Sequence, residues 1–586
     1  MKRLKTIIII CLILVGVVIT HAFLVYRGIT AQIEPLINGQ SLSLDDGLLV
    51  EEMATAKVVL VDINRQIKRL SYYRFLPVLR GLYLDTSNVF LALEKILEDG
   101  QSLEQELKQQ NNEEGMLASV LANADQGGIG SSFTRISLLL SSLNSDFKIL
   151  ETSLANLSNQ RILQFAQSDI ENIHQKINQY YQQLGVAVDL MDVFPYFVGY
   201  PEPVTYLLLF QNNHEIRATG GFIGSYGLIT IDQGQLVNLF IDDIYHLDSE
   251  VIGELEIEPP QPIRDYLGVQ FWYMRDANWY PDWPTSAKKV MEFYQLEGGT
   301  EKLAGVIAIT PDVVGDLIAL TGDLLLEDVL YQADDFTETL QYEVEQNYSN
   351  LGLSHWDRKD VIDRLAKVIL DEIFSMSPTE ALAIVGILSD RLASKDILLY
   401  LENQEAQRFV MDKQWDGSIR STDKDYLMVV DSNMAALKTN QYIDRQLTYK
   451  VFEYNDGLYG QLYIDYQHGG DFAWDSTRYR TYTRVYVPLG AKLVDQRGAM
   501  VDDRNPAIGS FDVYEENDKT VFGAFIAIEP GQTGRLELLY KLPEDYQDYT
   551  LYYQRQPGLA DSVAMTYFDQ LLYSGKPVGD LLIPKF

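Results

Sequence analysis

Near Pro195 the hydrophobic period of this chain switches, and the switch decides what the chain can fold into. Upstream, apolar residues recur at spacings of three and four. One run takes in Met53, Ala56, Leu60, Ile63, Ile67 and Leu70; a second runs from Ile136 to Leu157, slips in phase near Ser158, and resumes from Leu163 to Leu184. These are the seams of amphipathic helices. Downstream, Pro195, Pro201 and Pro203 interrupt the helix, and "YLLLF" is a short apolar run of the kind buried in the middle of a sheet. A single core is therefore excluded, as it also is by a length of 586 residues. Residues 27–195 are expected to form an α-helical stalk or bundle, with the Gly-containing "NADQGGIGSS", Asn123 to Ser132, as a loop between helices. A continuous helix of about 50 residues, roughly 75 Å long and dimerised as a coiled coil, is the alternative.

From Pro201 to about residue 440 strands and helices alternate, which predicts an α/β domain. "FIGSYGLITI" and "LVNLFI" around "DQGQ" read as a hairpin, "SAKKVMEFYQ" as a helix and "LAGVIAIT" as a strand. "PDVVGDLIALTG" opens a helix on proline and closes it on glycine. From Asp444 the helical period is gone, and alternating runs flank Asn455-Asp456-Gly457, a hairpin signal. Residues 444–560 are expected to be an antiparallel β-sandwich and 561–586 a C-terminal tail.

Residues Ile7 to Tyr26 carry no Asp, Glu, Lys or Arg and match the thickness of a bilayer core as a helix. Lys2, Arg3 and Lys5 precede this stretch and only Arg27 follows closely, so residues 1–6 are placed in the cytoplasm and the remainder outside the cell membrane. A cleaved signal peptide is the rival reading, against which stand the length of the run and the lack of an A-x-A-like site. Cys11, the only cysteine, falls within the span, which excludes disulfides and thiol chemistry from the exported part. A net charge of -36 argues against nucleic acid as a partner.

Two segments of the α/β region concentrate polar chemistry. "QNNHEIRATGGFIGSYG" holds Glu215, Arg217, Gly220 and Gly221 between two strands, and "RDANWYPDWP" sets Arg275, Asp276 and Asn278 among tryptophans and prolines. Two arginines suit a diphosphate, and Asp276 with Asp242 or Asp243 would suit a hard cation such as magnesium. Arg217, Arg275 and Asp276 are thus the catalytic candidates, Gly220, Gly221 and Asn278 the ligand-binding ones, and Asp242 and Asp243 the metal ligands. The structural alternative is an arginine–carboxylate network that ties loops to the domain, with the glycines forming a turn. His214, His246 and His355 are too scattered for a metal motif, and neither a Walker A loop nor a serine nucleophile elbow is present.

"LLLFQNNHEIRATGGFIGSYGLITIDQGQL", "RDANWYPDWPTSAKKV", "GVIAITPDVVGDLIALTG" and "DYLMVVDSNMAALKTNQYIDRQLTYKV" resemble a family of bacterial membrane-anchored proteins known as domain of unknown function 4012, over roughly Pro201 to Pro543. That resemblance implies a bacterial envelope setting with one N-terminal span and carries no activity. In the order of its strands and helices the α/β region is also similar to the LytR-CpsA-Psr proteins. These are membrane-anchored enzymes that move glycopolymers from a polyprenyl diphosphate carrier to the cell wall with the help of arginines and magnesium. By that likeness Arg217 takes the place of the arginine opening their second strand and Asn278 that of the asparagine before their long helix. Their acidic positions are Asn212 or Asn213 and Thr219 here, and "DDIYH" replaces their Pro-Arg-Asp motif. The expectation is an extracytoplasmic envelope protein handling a phosphorylated or glycan ligand, such as a polyprenyl-diphosphate-linked glycan, in cell-wall glycopolymer attachment. If it is an enzyme, a phosphotransferase is implied. The alternative is a non-catalytic structural or adhesive protein whose β-sandwich binds a partner.

Overall fold

The computed structural model describes residues 60–76, 79–109, 130–160, 163–164, 167–350, 352, 354, 356–375, 378–454, 457–503, 507–543, 546 and 548–585. The expected span Ile7–Tyr26 with its charged flanks and Cys11 lies outside them, as do Met53, Ala56, residues 123–129 of the expected loop, His355, Asn455 and Asp456. Among the described residues no helix is long and apolar enough to cross a membrane. The chain divides into two compact units, with the boundary near residue 192.

The first unit is helical. A helical segment at 60–69 is followed by α1 (Arg80–Gln109), α2 (Gly130–Ser158) and α3 (Gln167–Phe197), whose last residues belong to the second unit. Asn156 bonds Asp85, Lys95 pairs with Asp146 and Arg135 with Glu106, so α1 and α2 run antiparallel. Ile63, Ile67, Leu150 and Leu154, all from the apolar seams, share one core with Phe90 of α1. The continuous helix does not form. The chain leaves the helix at residues 159–160, at the phase slip near Ser158, because one straight helix would carry the second seam off the buried face.

In the second unit, β1 (Val204–Asn212) and β2 (Phe222–Asp232) are joined by a loop, and a tight turn at Gln233 and Gly234, both with positive φ (46° and 80°), leads to β3 (Gln235–Asp243). Then follow α4 (Ile244–Ser249), α5 (Trp283–Leu296), β4 (Leu303–Ile309), α6 (Pro311–Thr321), the small hairpin β5 (Leu324–Leu326) and β6 (Val329–Tyr331), α7 (Phe336–Glu345), α8 (Asp360–Ser375), α9 (Pro378–Ala393), β7 (Ile397–Leu401) and α10 (Gln404–Asp412). Asp282 caps α5, accepting from Thr285 N at 3.2 Å, and Gly322 (φ 97°) ends α6. The sheet order is β3-β2-β1-β4-β7, with β1 and β4 parallel and the other pairs antiparallel. This is a mixed α/β layer, and each element read from the sequence between 201 and 321 is present.

The β-rich region differs from expectation at both ends. Its strands are β8 (Asp425–Asn433), β9 (Ile443–Tyr454), β10 (Gly457–His468), β11 (Tyr479–Pro488), β12 (Lys492–Arg497), β13 (Asp512–Glu516), β14 (Lys519–Ile528), β15 (Thr533–Lys541), β16 (Thr550–Tyr553), β17 (Ser562–Tyr567), β18 (Gln570–Gly575) and β19 (Leu581–Pro584). They form two six-stranded sheets, β12-β15-β10-β9-β17-β18 and β13-β14-β11-β8-β16-β19, which share one core containing Leu427, Tyr449, Phe522, Leu538 and Val563. The region thus begins at Asp425, before the expected Asp444, because the fully buried β8 sits between β11 and β16. The expected tail 561–586 supplies β17, β18 and β19. The sheets are not wholly antiparallel, since β16 pairs parallel with β8 and β17 parallel with β9.

Candidate functional site

The stretch between β1 and β2 is a backbone crossing. A Cβ on Gly221 would sit 2.3 Å from the Asn212 carbonyl, and one on Gly558 would sit 2.2 Å from Gly220 O, so three segments of main chain meet where only hydrogen fits. Gln211 Oε1 gathers this loop, accepting from Thr219 Oγ1 at 2.9 Å, Gly221 N at 3.1 Å and Asn278 Nδ2 at 3.1 Å. Asn278 Nδ2 also donates to Gly221 O at 2.8 Å, and Asn278 is fully buried. Gly220, Gly221 and Asn278, expected to contact a ligand, are therefore bonded or packed to one another and to the chain.

The loop does bring the two arginines together. Arg217 is 5% exposed and donates to Asn433 O at 2.8 Å and to Glu215 Oε1 at 3.3 Å, and its guanidinium lies 3.5 Å from Asp276 Oδ1. Arg275 donates to Asp248 Oδ2 at 2.7 Å, stands 3.7 Å from Asp276 Oδ2, and lies over the rings of Tyr245 and Tyr273. Asp276 thus bridges both guanidiniums. Burial pushes the Glu215 carboxyl above the usual carboxylate range, against the pull of Arg217 and Lys438.

The candidate metal ligands are engaged elsewhere. Asp242 Oδ1 lies 2.5 Å from His246 Nδ1, and Asp243 caps α4 through Tyr245 N at 3.1 Å while pairing with Lys359 at 2.8 Å. Among the described residues no cluster of three or more His, Cys, Asp or Glu can hold a metal ion. A cation at Asp243 would have to displace a buried ammonium, so this donor set does not fit magnesium.

What sequence reasoning missed lies beside the arginines. A cavity of about 330 Å³ runs between the β1–β2 side of the sheet and helices α6, α7 and α8. Ile362, Leu365, Ala366 and Ile369 line it from one face of α8, a stretch of about 10 Å along the helix, with Val314 and Leu340 opposite. Polar groups gather where α8 begins. Arg358 and Lys438 both pair with Glu345, while Lys359 bonds Gly224 O and Asp243. Burial draws the Lys359 ammonium below its ordinary range, against Asp243. The hydroxyls of Ser225 and Thr310, 2% and 3% exposed, also line the cavity and have no hydrogen-bond partner among the described residues. Gln211 lines it too, with its Oε1 spent on the loop. The one sequence signal was the "DRK" of Asp357–Lys359 placed directly before an amphipathic helix.

A partly open apolar cavity with a donor-rich end, set between a sheet and its covering helices, has the lining typical of small-molecule sites. Residues 201–344, from before β1 to the last turn of α7, match the model of the family described as Protein of unknown function (DUF4012). The match stops short of the expected Pro543, and Arg358, Lys359, α8 and the β-rich region lie beyond it. No curated protein matches the chain, and no solved structure does. The likeness to the LytR-CpsA-Psr proteins is thus without a match of its own.

Proposed function

We propose that the α/β layer binds an amphiphile, with the apolar chain lying along α8 and a phosphorylated head held by Lys359, Arg358, Lys438 and the free hydroxyls. The observation that carries this reading is the cavity itself, apolar along the helix and furnished with cations and unpartnered donors at one end. A lipid-linked phosphate, with or without a glycan beyond it, has that chemistry. Together with the sequence-derived span at Ile7–Tyr26, it supports a single-pass envelope protein that handles a lipid-linked glycan precursor at the outer face of the cell membrane. Arg217 and Arg275 lie against carboxylates and do not line the cavity, whereas Arg358, Lys359 and Lys438 do, so the head is assigned to the α8 end and not to the two arginines. The helical unit then serves as the stalk and the β-rich region as the partner-binding part.

The test is a titration of the full chain with a short polyprenyl phosphate, the matching polyprenol and inorganic phosphate, followed by thermal shift. The phosphorylated lipid should raise the melting temperature more than either half alone. Ala366→Trp, which fills the cavity, should abolish that rise without lowering the unliganded melting temperature by more than a few degrees. A rise with phosphate alone that survives Ala366→Trp would overturn the reading.

A further inference from the structure

Beneath the Arg275 loop lies a pair of buried acids with no part in the ligand reading. Asp248, on α4, is 0% exposed and Glu297, at the C-terminal cap of α5, is 1% exposed. One oxygen of each has a donor: Arg275 reaches Asp248 Oδ2 at 2.7 Å, and Met274 N reaches Glu297 Oε1 at 2.8 Å. Asp248 Oδ1 and Glu297 Oε2 have no hydrogen-bond partner among the described residues, and the two acids are held by consecutive residues of one loop, Met274 and Arg275, so that each weighs on the other's titration. Two carboxylates cannot bond to one another, whereas a carboxylic acid donates to a carboxylate.

We infer that Asp248 and Glu297 share one proton in the folded protein, and that this proton latches the loop from Tyr273 to Trp283 onto α4 and the end of α5. The groups facing the pair are Arg275 and Asp276 from the loop and Tyr226 from β2, and of these only Arg275 is cationic. From Glu297 through Asp248, Arg275, Asp276 and Arg217 to Glu215, the chain of contacts holds four carboxyl groups against two guanidiniums. The shared proton removes part of that excess negative charge. Glu215, the far end of the chain, lines the cavity.

Burial holds both acids above the usual carboxylate range. The folded state therefore keeps a proton that the unfolded state has already released, and stability falls as pH rises from the ordinary carboxylate range through the titration of the pair. The test needs no ligand and so stands apart from the lipid reading. Infrared spectra of the full chain at neutral pH should show the carbonyl band of a protonated carboxylic acid, and Glu297→Gln should remove it in the difference spectrum. Between about pH 5 and pH 10 the stability of the wild type should fall more steeply than that of Glu297→Gln by about one proton's worth of slope. The amide of that variant supplies a permanent N–H to Asp248 Oδ1. If Glu297→Gln does not fold, Asp248→Asn should show the same loss of band. A wild type without the band, or equal slopes in the wild type and the amide variant, would overturn the inference.

Discussion

Arg217→Ala distinguishes a structural arginine from a ligand-binding one. In the wild type this buried guanidinium satisfies the carbonyl of Asn433 at 2.8 Å, pairs with Glu215 at 3.3 Å and stands 3.5 Å from Asp276. Removing it leaves Glu215 with only a distant cation, deprives a buried carbonyl of its donor and leaves Asp276 to Arg275 alone. Breaking a buried ion pair from one side typically costs about 3 to 5 kcal/mol. At about 2 °C per kcal/mol, the lower end for large domains, that is a fall of about 6 to 10 °C in melting temperature. Part of the loss should be recovered below neutral pH. Burial already raises the Glu215 carboxyl, and without Arg217 it rises further, so the variant takes up a proton more readily and suffers less as pH falls. Scanning calorimetry of wild type and variant at two pH values reads both effects. A variant that melts within about 1 °C of the wild type and yet no longer responds to a polyprenyl phosphate would refute the structural assignment and return Arg217 to the ligand.

Gly221→Ala places a methyl group 2.3 Å from the Asn212 carbonyl, and should lower stability by about 3 kcal/mol or more in a urea titration; a change below about 1 kcal/mol would show that the crossing is loose. A fragment beginning at Asp444 lacks β8, whose Tyr426, Leu427, Met428, Val429 and Val430 are all buried. At about 1.5 to 3 kcal/mol for each large side chain, their loss rivals the whole stability of a domain, so the fragment should show no cooperative melt by circular dichroism.

The sequence was most readable where packing is local. The period of three and four placed the segment at 60–69, α2 and α3, though not α1, and the slip near Ser158 marked the break between α2 and α3. The β2–β3 hairpin and the proline-opened α6 followed from turn and cap chemistry alone. Arg217 and Arg275 were paired in expectation because both are lone cations in polar loops, and they do meet on Asp276. The limits of the β-rich region were not readable. A strand buried on both faces, such as β8, reads as a continuous apolar run and says nothing of which sheet owns it. Asp242 and Asp243 looked like free acids because the partners that occupy them, His246 and Lys359, are set by tertiary structure. The cavity was hidden for the same reason, since its walls come from strands and helices spread from Phe210 to Lys438.

The placement of β17 has a consequence for how the protein is made. This strand closes against β9, and Asp561 just before it grips the buried Arg445 through both carboxylate oxygens, at 2.7 Å each. A nascent chain that has emerged only as far as β15 therefore holds an unsealed sheet edge and a buried guanidinium lacking that counter-ion. A domain of this kind cannot complete its core until those strands have emerged. A chain clipped upstream of residue 561 would lose β17, β18 and β19 together, leaving β9 as an open edge available to pair with another chain.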